Sequence, residues 1–235
     1  MGNKKDYGKS INSGIIVAAG RGERMGPDVD KVFLSLGSKP VLIYSLLAFE
    51  KCADIDEVIL VVRKERVESA RCAVQMFGCT KVKKIVAGGT QRQISVANGM
   101  AEMGEDVTLV AVHDGARPCI TPALIAETIR SARQYGSGVA AIKIKDTVKE
   151  VEKGMIISRT VDRTKLWRVQ TPQAFKRELL EKAFTVVRKK KLTVTDEASA
   201  IELISRAVRL VPSSSSNIKI TTPDDLVLAA ALMRL

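Results

Sequence analysis

Aromatic residues make up only 4% of the 235-residue chain, histidine occurs once, and the four cysteines show no close-paired spacing. So few aromatics leave no interleaved stacking platform for single-stranded nucleic acid, and no finger spacing or basic helix offers another route to it. With His113 standing alone beside Cys52, Cys72, Cys79 and Cys119, local Cys/His pairs cannot build a zinc site, and the cysteines read as reduced core thiols. Long apolar runs are also missing: the stretches at 107–112 and 227–233 fall far short of a membrane span. The opening MGNKKDYGKSIN is polar and basic with no apolar signal core behind it, and Asp6 stands where acylation of Gly2 would need Ser or Thr. These absences predict a cytoplasmic protein with no nucleic-acid or membrane partner. Residues 1–12 read as a disordered tail ahead of one domain at 13–235.

What the chain has is positive charge and a repeating alternation of strands and helices. Lys and Arg outnumber Asp and Glu by 38 to 26, a formal charge of +12, which favours anionic ligands, and a small phosphorylated molecule fits best. Short Val/Ile-rich runs at 14–18, 58–62, 82–86, 107–112 and 139–144 alternate with helical spacing at 41–50, 65–77, 91–103 and 122–135. The strand runs are nearly continuous rather than alternating, as expected when helices cover both faces of a mostly parallel sheet. At 145–168 the pattern changes to charged, short alternating pieces around a Lys-Gly turn, which predicts a protruding β-arm. An isolated hairpin is marginal in water, so the arm should pack on a partner subunit or on the core, and a homodimer is expected. Helices follow at 177–189 and 196–204, strands at 208–211 and 218–220, and a last helix from Pro223.

Three strand ends carry chemistry. The first, at 15–40, ends in small residues and glycine: Gly20 and Gly22 lack a Cβ, so successive N–H groups can turn toward an anion, with Arg24 and Lys31 adding charge. A dinucleotide fingerprint would need glycine where Met25 stands, and Gly8-Lys9-Ser10 has Asn3 where an ATPase loop needs glycine. What remains resembles the loop of sugar-phosphate nucleotidyltransferases. The second, at 107–118, closes a buried strand on Asp114, a carboxylate at the sheet's open edge and adequate for Mg²⁺ that also takes phosphate oxygens. Its neighbour His113 reads as a strand-end residue with a structural hydrogen bond. The third, at 87–99, joins Gly88 and Gly89 to a helix carrying Arg92 and Ser95, and is equally consistent with a nucleotide-binding turn and a plain one.

Taken in order, AAGRGERMG, AGGTQRQISVANG, HDGARP, TVDRTKLWRVQTPQAF, TDEASA and NIKITTPDDL resemble the motifs of the bacterial 2-C-methyl-D-erythritol 4-phosphate cytidylyltransferases, from about residue 15 to the C-terminus. The resemblance implies a Rossmann-like sheet whose arm crosses to the other subunit of a homodimer. It implies that Ala18, Ala19, Gly20, Gly89 and Ser95 surround cytidine, with Gly22 and Arg92 in the same nucleotide site. Arg24, Lys31 and Lys219 would face the CTP phosphates and act in catalysis, and Asp114 would hold Mg²⁺. Arg117, Thr147, Arg163, Thr171 and Thr195 would contact the polyol phosphate. The family pattern reads Pro-Lys-Gln where this chain has Asp30-Lys31-Val32, and a residue that is commonly acidic where Thr90 stands. The implied reaction is in-line attack of the substrate phosphate on the α-phosphorus of CTP. Two alternatives stay open at this point: a ribitol-5-phosphate cytidylyltransferase on the same fold, and a non-catalytic binding protein that uses the basic surface.

Overall fold

The computed structural model describes residues 10–20, 22, 25, 30–204 and 207–235. Strand β1 (Ile11–Ala18) is followed by a small hairpin, β2 (Ser35–Leu36) and β3 (Lys39–Pro40), and then by α1 (Val41–Lys51). Next come β4 (Glu57–Val62), α2 (Val67–Met76), β5 (Val82–Ala87), α3 (Arg92–Ala101), β6 (Val107–Asp114), α4 (Pro122–Tyr135) and β7 (Ser137–Lys143). The arm strands β8 (Val148–Val151) and β9 (Ile157–Val161) precede β10 (Trp167–Lys176), α5 (Arg177–Lys189), α6 (Glu197–Glu202), β11 (Leu210–Pro212) and α7 (Pro223–Met233).

Seven strands form one sheet in the order β11-β7-β10-β6-β1-β4-β5, in which β10 alone runs antiparallel to its neighbours. This is the mostly parallel α/β sheet that the apolar runs predict. The runs are continuous because both faces are covered. Ile16 of β1 and Leu60 of β4 pack on one side with Leu46 and Phe49 of α1 and Ile129 of α4. Ile15 and Ile59, one position earlier, pack on the other side with Val96 of α3, Leu180 of α5 and Ile201 of α6. Helix α4 shows how local chemistry sets an element's limits. Thr121 caps its start by accepting from Leu124 N–H, Pro122 opens the first turn, and Gly136 at φ +86° ends it.

The structure departs from the sequence expectations at identifiable places. β1 starts at Ile11, within the segment expected as tail, because Ile11 N–H donates to Asp106 O and Asn12 N–H to Asp56 Oδ2. The rest of that tail, residues 1–9, lies outside the described residues. The sequence pattern does not predict β10: Pro172 within WRVQTPQAFK argues against a strand, yet it falls where pairing with β7 lapses between Val169 and Gln173. The segment expected as a strand at 218–220 belongs to no strand, although Ile220 N–H donates to Ala116 O at 2.8 Å. Cys52 and Cys79 are buried as expected and Cys119 is partly so, but Cys72 is exposed on α2. Within 145–168 the arm hairpin is β8 with β9, and Trp167 and Arg168 already belong to the central sheet.

Candidate active site

The carboxyl ends of β1, β4, β5 and β6 open onto one cleft of about 780 Å³. Ligands of open α/β sheets bind on this side, because strand ends and helix starts leave backbone N–H groups pointing outward there. Two close approaches shape its floor. A Cβ on Gly88 would sit 2.3 Å from Ala19 Cβ and 2.8 Å from Ser95 Oγ, so the β1 and β5 loops can touch only with glycine there. Ser95 Oγ accepts from Gly89 N–H at 3.1 Å and donates to Gln91 O at 3.2 Å, tying the turn to the start of α3. The α3 start has no acidic residue and no side-chain cap, which leaves its positive end available to an anion.

At the back of the cleft, Asp114 Oδ1 accepts from Arg92 Nε at 3.0 Å and Oδ2 from Lys219 Nζ at 2.7 Å, with Arg117 Nε 4.0 Å away. Arg92 also grips Glu197 with both terminal nitrogens, Nη1 to Oε1 at 2.6 Å and Nη2 to Oε2 at 2.9 Å. Three cations against two carboxylates leave the cluster net positive. Burial acts to raise the Asp114 pKa, but the Arg92 and Lys219 charges overcome it and hold the carboxyl far below its ordinary range. Asp114 N–H donates to Thr171 Oγ1 at 3.0 Å, and the same hydroxyl shares a hydrogen bond with His113 Nδ1 at 3.1 Å.

Comparison with known proteins bears on what this cleft is for. The family model described as IspD, 2-C-methyl-D-erythritol 4-phosphate cytidylyltransferase, matches residues 13–235. The curated enzyme of that name from Alkaliphilus oremlandii is 40% identical over 226 residues, covering 96% of each chain. Its counterpart from Caldanaerobacter subterraneus subsp. tengcongensis is 42% identical over 223 residues, covering 94% of this chain and 98% of that one. The chain belongs to the 2-C-methyl-D-erythritol 4-phosphate cytidylyltransferase family. Solved structures agree. The 4-diphosphocytidyl-2C-methyl-D-erythritol synthase of Anaerococcus prevotii superposes with a TM-score of 0.83 at 31% identity, covering 96% of this chain and 99% of its own. The Thermus thermophilus cytidylyltransferase gives 0.77 at 32%, with 94% and 98% covered. This is a nucleotidyltransferase on the Rossmann-like α/β fold of its relatives.

Of the residues singled out from the sequence of this cytidylyltransferase family member, Ala18, Ala19, Gly20, Lys31, Gly89, Arg92, Ser95, Asp114 and Lys219 all line the cleft. Arg24 lies outside the described residues. Gly22 sits beyond the lining at φ +69°, its carbonyl accepting from Met25 N–H. Arg117 is held behind the cleft by Asn217 O at 2.8 Å. Thr171 is buried against Asp114 and His113, whereas Thr147, Arg163 and Thr195 are exposed and not brought into the cleft of the single chain. The guanidinium of Arg163 donates to Lys145 O at the base of the arm. Thr195 Oγ1 bonds to Ser199 Oγ two residues before Glu197.

The sequence reading missed Glu197 as an individual residue, although TDEASA was among the motifs. It also missed Arg63, Lys64 and Glu65, which follow β4 and line the cleft. The buried Asp30 accepts from Arg63 Nη2 at 2.7 Å and Arg66 Nε at 3.1 Å, which anchors the residue next to Lys31. A charged triplet after a buried strand was the available signal for the first group. For Asp30 there was none, since its partners lie more than thirty residues away.

His113 gives this site a pH signature. Burial drives its pKa down to about 3 from an ordinary 6.5, and Nε2 has no hydrogen-bond partner among the described residues. The neutral ring is thus favoured in the folded state, so its contribution is complete above 6.5 and is lost as pH falls toward 3. Stability should drop by about 2 kcal/mol between pH 7.5 and 5. Asp114 stays ionised throughout that window. Urea midpoints at the two pH values should show the drop in the wild type and a much smaller one in His113→Asn; equal drops would sink the assignment.

Proposed function

We propose that this chain transfers the cytidylyl group of CTP to 2-C-methyl-D-erythritol 4-phosphate, releasing pyrophosphate and forming 4-diphosphocytidyl-2-C-methyl-D-erythritol, an isoprenoid precursor. One observation carries the reading: a cation-ringed Asp114 at the back of a glycine-floored cleft, in a chain of this family. A phosphate oxygen of the polyol phosphate forms the new bond to the α-phosphorus, and the bond from that phosphorus to the departing pyrophosphate breaks. The attacking phosphate is already anionic, so no strong general base is required, and the protein's work is positioning and cationic stabilisation.

The lining divides the labour. Ala18, Ala19, Gly20, Gly89 and Ser95 present small side chains and backbone to a flat base and sugar. Lys31 and Lys219 supply positive charge to the triphosphate, and Arg24 belongs with them on family grounds. Lys219 reaches Asp114 from the chain at 218–220 and is still 37% exposed, so its ammonium can meet a phosphate without leaving its place.

Asp114 and Glu65 are the carboxylates that line the cleft among the described residues, and no cluster of three or more metal-binding side chains occurs among them. That set fits a hard divalent cation such as Mg²⁺ arriving with phosphate and water oxygens, and does not fit an ion caged by protein alone. Asp114 would hold it, and when bound it would neutralise triphosphate charge and polarise the phosphoryl oxygens.

The polyol-phosphate site of this reading spans two subunits. Thr171 and Arg117 stand behind Asp114, while Thr147 and Arg163 lie on the exposed arm base, away from the cleft of their own chain. The arm also carries Met155, Ile156 and Ile157, 84%, 69% and 56% exposed, an apolar tip suited to burial against a second copy. A cytoplasmic homodimer is therefore part of the proposal.

Three outcomes test it. Screened with four nucleoside triphosphates, the protein should release pyrophosphate with CTP and methylerythritol phosphate in a divalent-cation-dependent way; faster release with ribitol 5-phosphate would reassign the substrate. Lys219→Ala should lower kcat by about 10²- to 10³-fold with the fold kept, and near-normal turnover would remove its role. Ile157→Asp should sediment as a monomer with weakened use of the polyol phosphate, whereas an intact dimer would displace the arm from the interface.

A further inference from the structure

Glu197 is the group in this neighbourhood that the reaction above leaves without a task. It is 1% exposed, yet it is a carboxylate at the start of α6, and its two oxygens are matched to the two terminal nitrogens of Arg92. Bidentate pairing of this kind fixes the plane of a guanidinium as well as its position. Arg92 Nε is simultaneously bonded to Asp114, so three of the five N–H groups an arginine carries are committed, and the fixed plane of the guanidinium also fixes the directions of the other two, one on each terminal nitrogen. Arg92 still lines the cleft.

We infer that Glu197 is a positioning residue: it holds Arg92, and through Arg92 it sets the orientation of the Asp114 carboxylate beside the reacting phosphates. The inference rests on the proposed cytidylyl transfer and adds to it a residue with no substrate contact of its own. It also changes the task of Arg92. A guanidinium tied this tightly is a brace more than a phosphate clamp, which leaves the phosphates to Lys219 and Lys31.

The same contact joins two parts of the site. Glu197 follows Thr195 and Asp196 in the loop proposed to meet the polyol phosphate. Asp196 caps α6 by accepting from Ser199 N–H at 2.9 Å and also accepts from Gln173 Nε2 of β10 at 2.8 Å. Arg92 opens α3, next to the glycine turn of the nucleotide side. Glu197 is thus linked to Asp114 through two ion pairs that share Arg92.

Charge arithmetic separates this role from a purely structural one. Glu197→Gln keeps the shape of the side chain and makes the cluster more positive, so attraction for the triphosphate is kept while the orientation of Arg92 is loosened. In pyrophosphate-release assays kcat should fall by about 10²-fold, the usual scale for misplacing a reacting group by about an ångström. The KM for CTP should rise by no more than about twofold. In an Arg92→Gln background, adding Glu197→Gln should lower kcat no further, because the contact it acts through is already gone. Glu197→Asp, which keeps the charge but falls short of one nitrogen, should lie between wild type and Glu197→Gln, and carries the test should Glu197→Gln not fold. Undiminished kcat in either single variant, or losses that add in the double variant, would overturn the assignment while wild-type turnover left the cytidylyl-transfer reading standing. A wild-type protein that released no pyrophosphate would instead overturn the reading, and this inference with it.

Discussion

Asp114 ends the central strand β6 with its carboxylate between Arg92 and Lys219, and the candidate site is built around keeping that buried charge compensated. A buried charge left wholly uncompensated costs about 3–5 kcal/mol, and here several elements share the task of preventing that. Arg92 comes from the first turn of α3, Lys219 from the chain before α7, and Arg117 from the turn after β6. Glu197, from α6, offsets the excess positive charge on Arg92. The cluster joins early and late parts of the chain, and its surplus of one positive charge is what an incoming triphosphate meets.

The rest of the cleft is permissive where the cluster is demanding. Gly88 lets the β1 and β5 loops approach, and Gly89 lets the turn approach Ile94 of α3, to distances that any side chain would prevent, and Ser95 Oγ bonds to Gly89 N–H and Gln91 O. The sheet places both features on the same edge because parallel strands send all their carboxyl ends to one side. β10 is the exception in direction, and it brings Thr171 against Asp114 and His113 from the opposite sense. The neutral, fully buried His113 beside an ionised Asp114 shows how sharply the environment changes within two consecutive residues.

Much of this is legible in the amino-acid sequence. Continuous runs such as EVILVV announced a covered parallel sheet, Thr121-Pro122 and Gly136 marked both ends of α4, and the glycine turns after β1 and β5 pointed to the cleft. The harder elements were those in which local signals conflict. Pro172 spoke against β10, and a break in pairing accommodates it. The Ile218-Lys219-Ile220 alternation speaks for a strand, although no strand forms there and Ile220 N–H donates to Ala116 O.

The sequence by itself determined the layers of the fold, the position of the glycine turns and the family, because periodicity, turn chemistry and ordered motifs are properties of neighbouring residues. Which charges share the site was decided only by the tertiary structure. Glu197 meets Arg92 across 105 positions and Lys219 meets Asp114 across another 105, separations at which no spacing rule operates. Those pairs exist because folding removes water from Asp114, and a buried carboxylate is stable only where distant parts of the chain deliver cations to it.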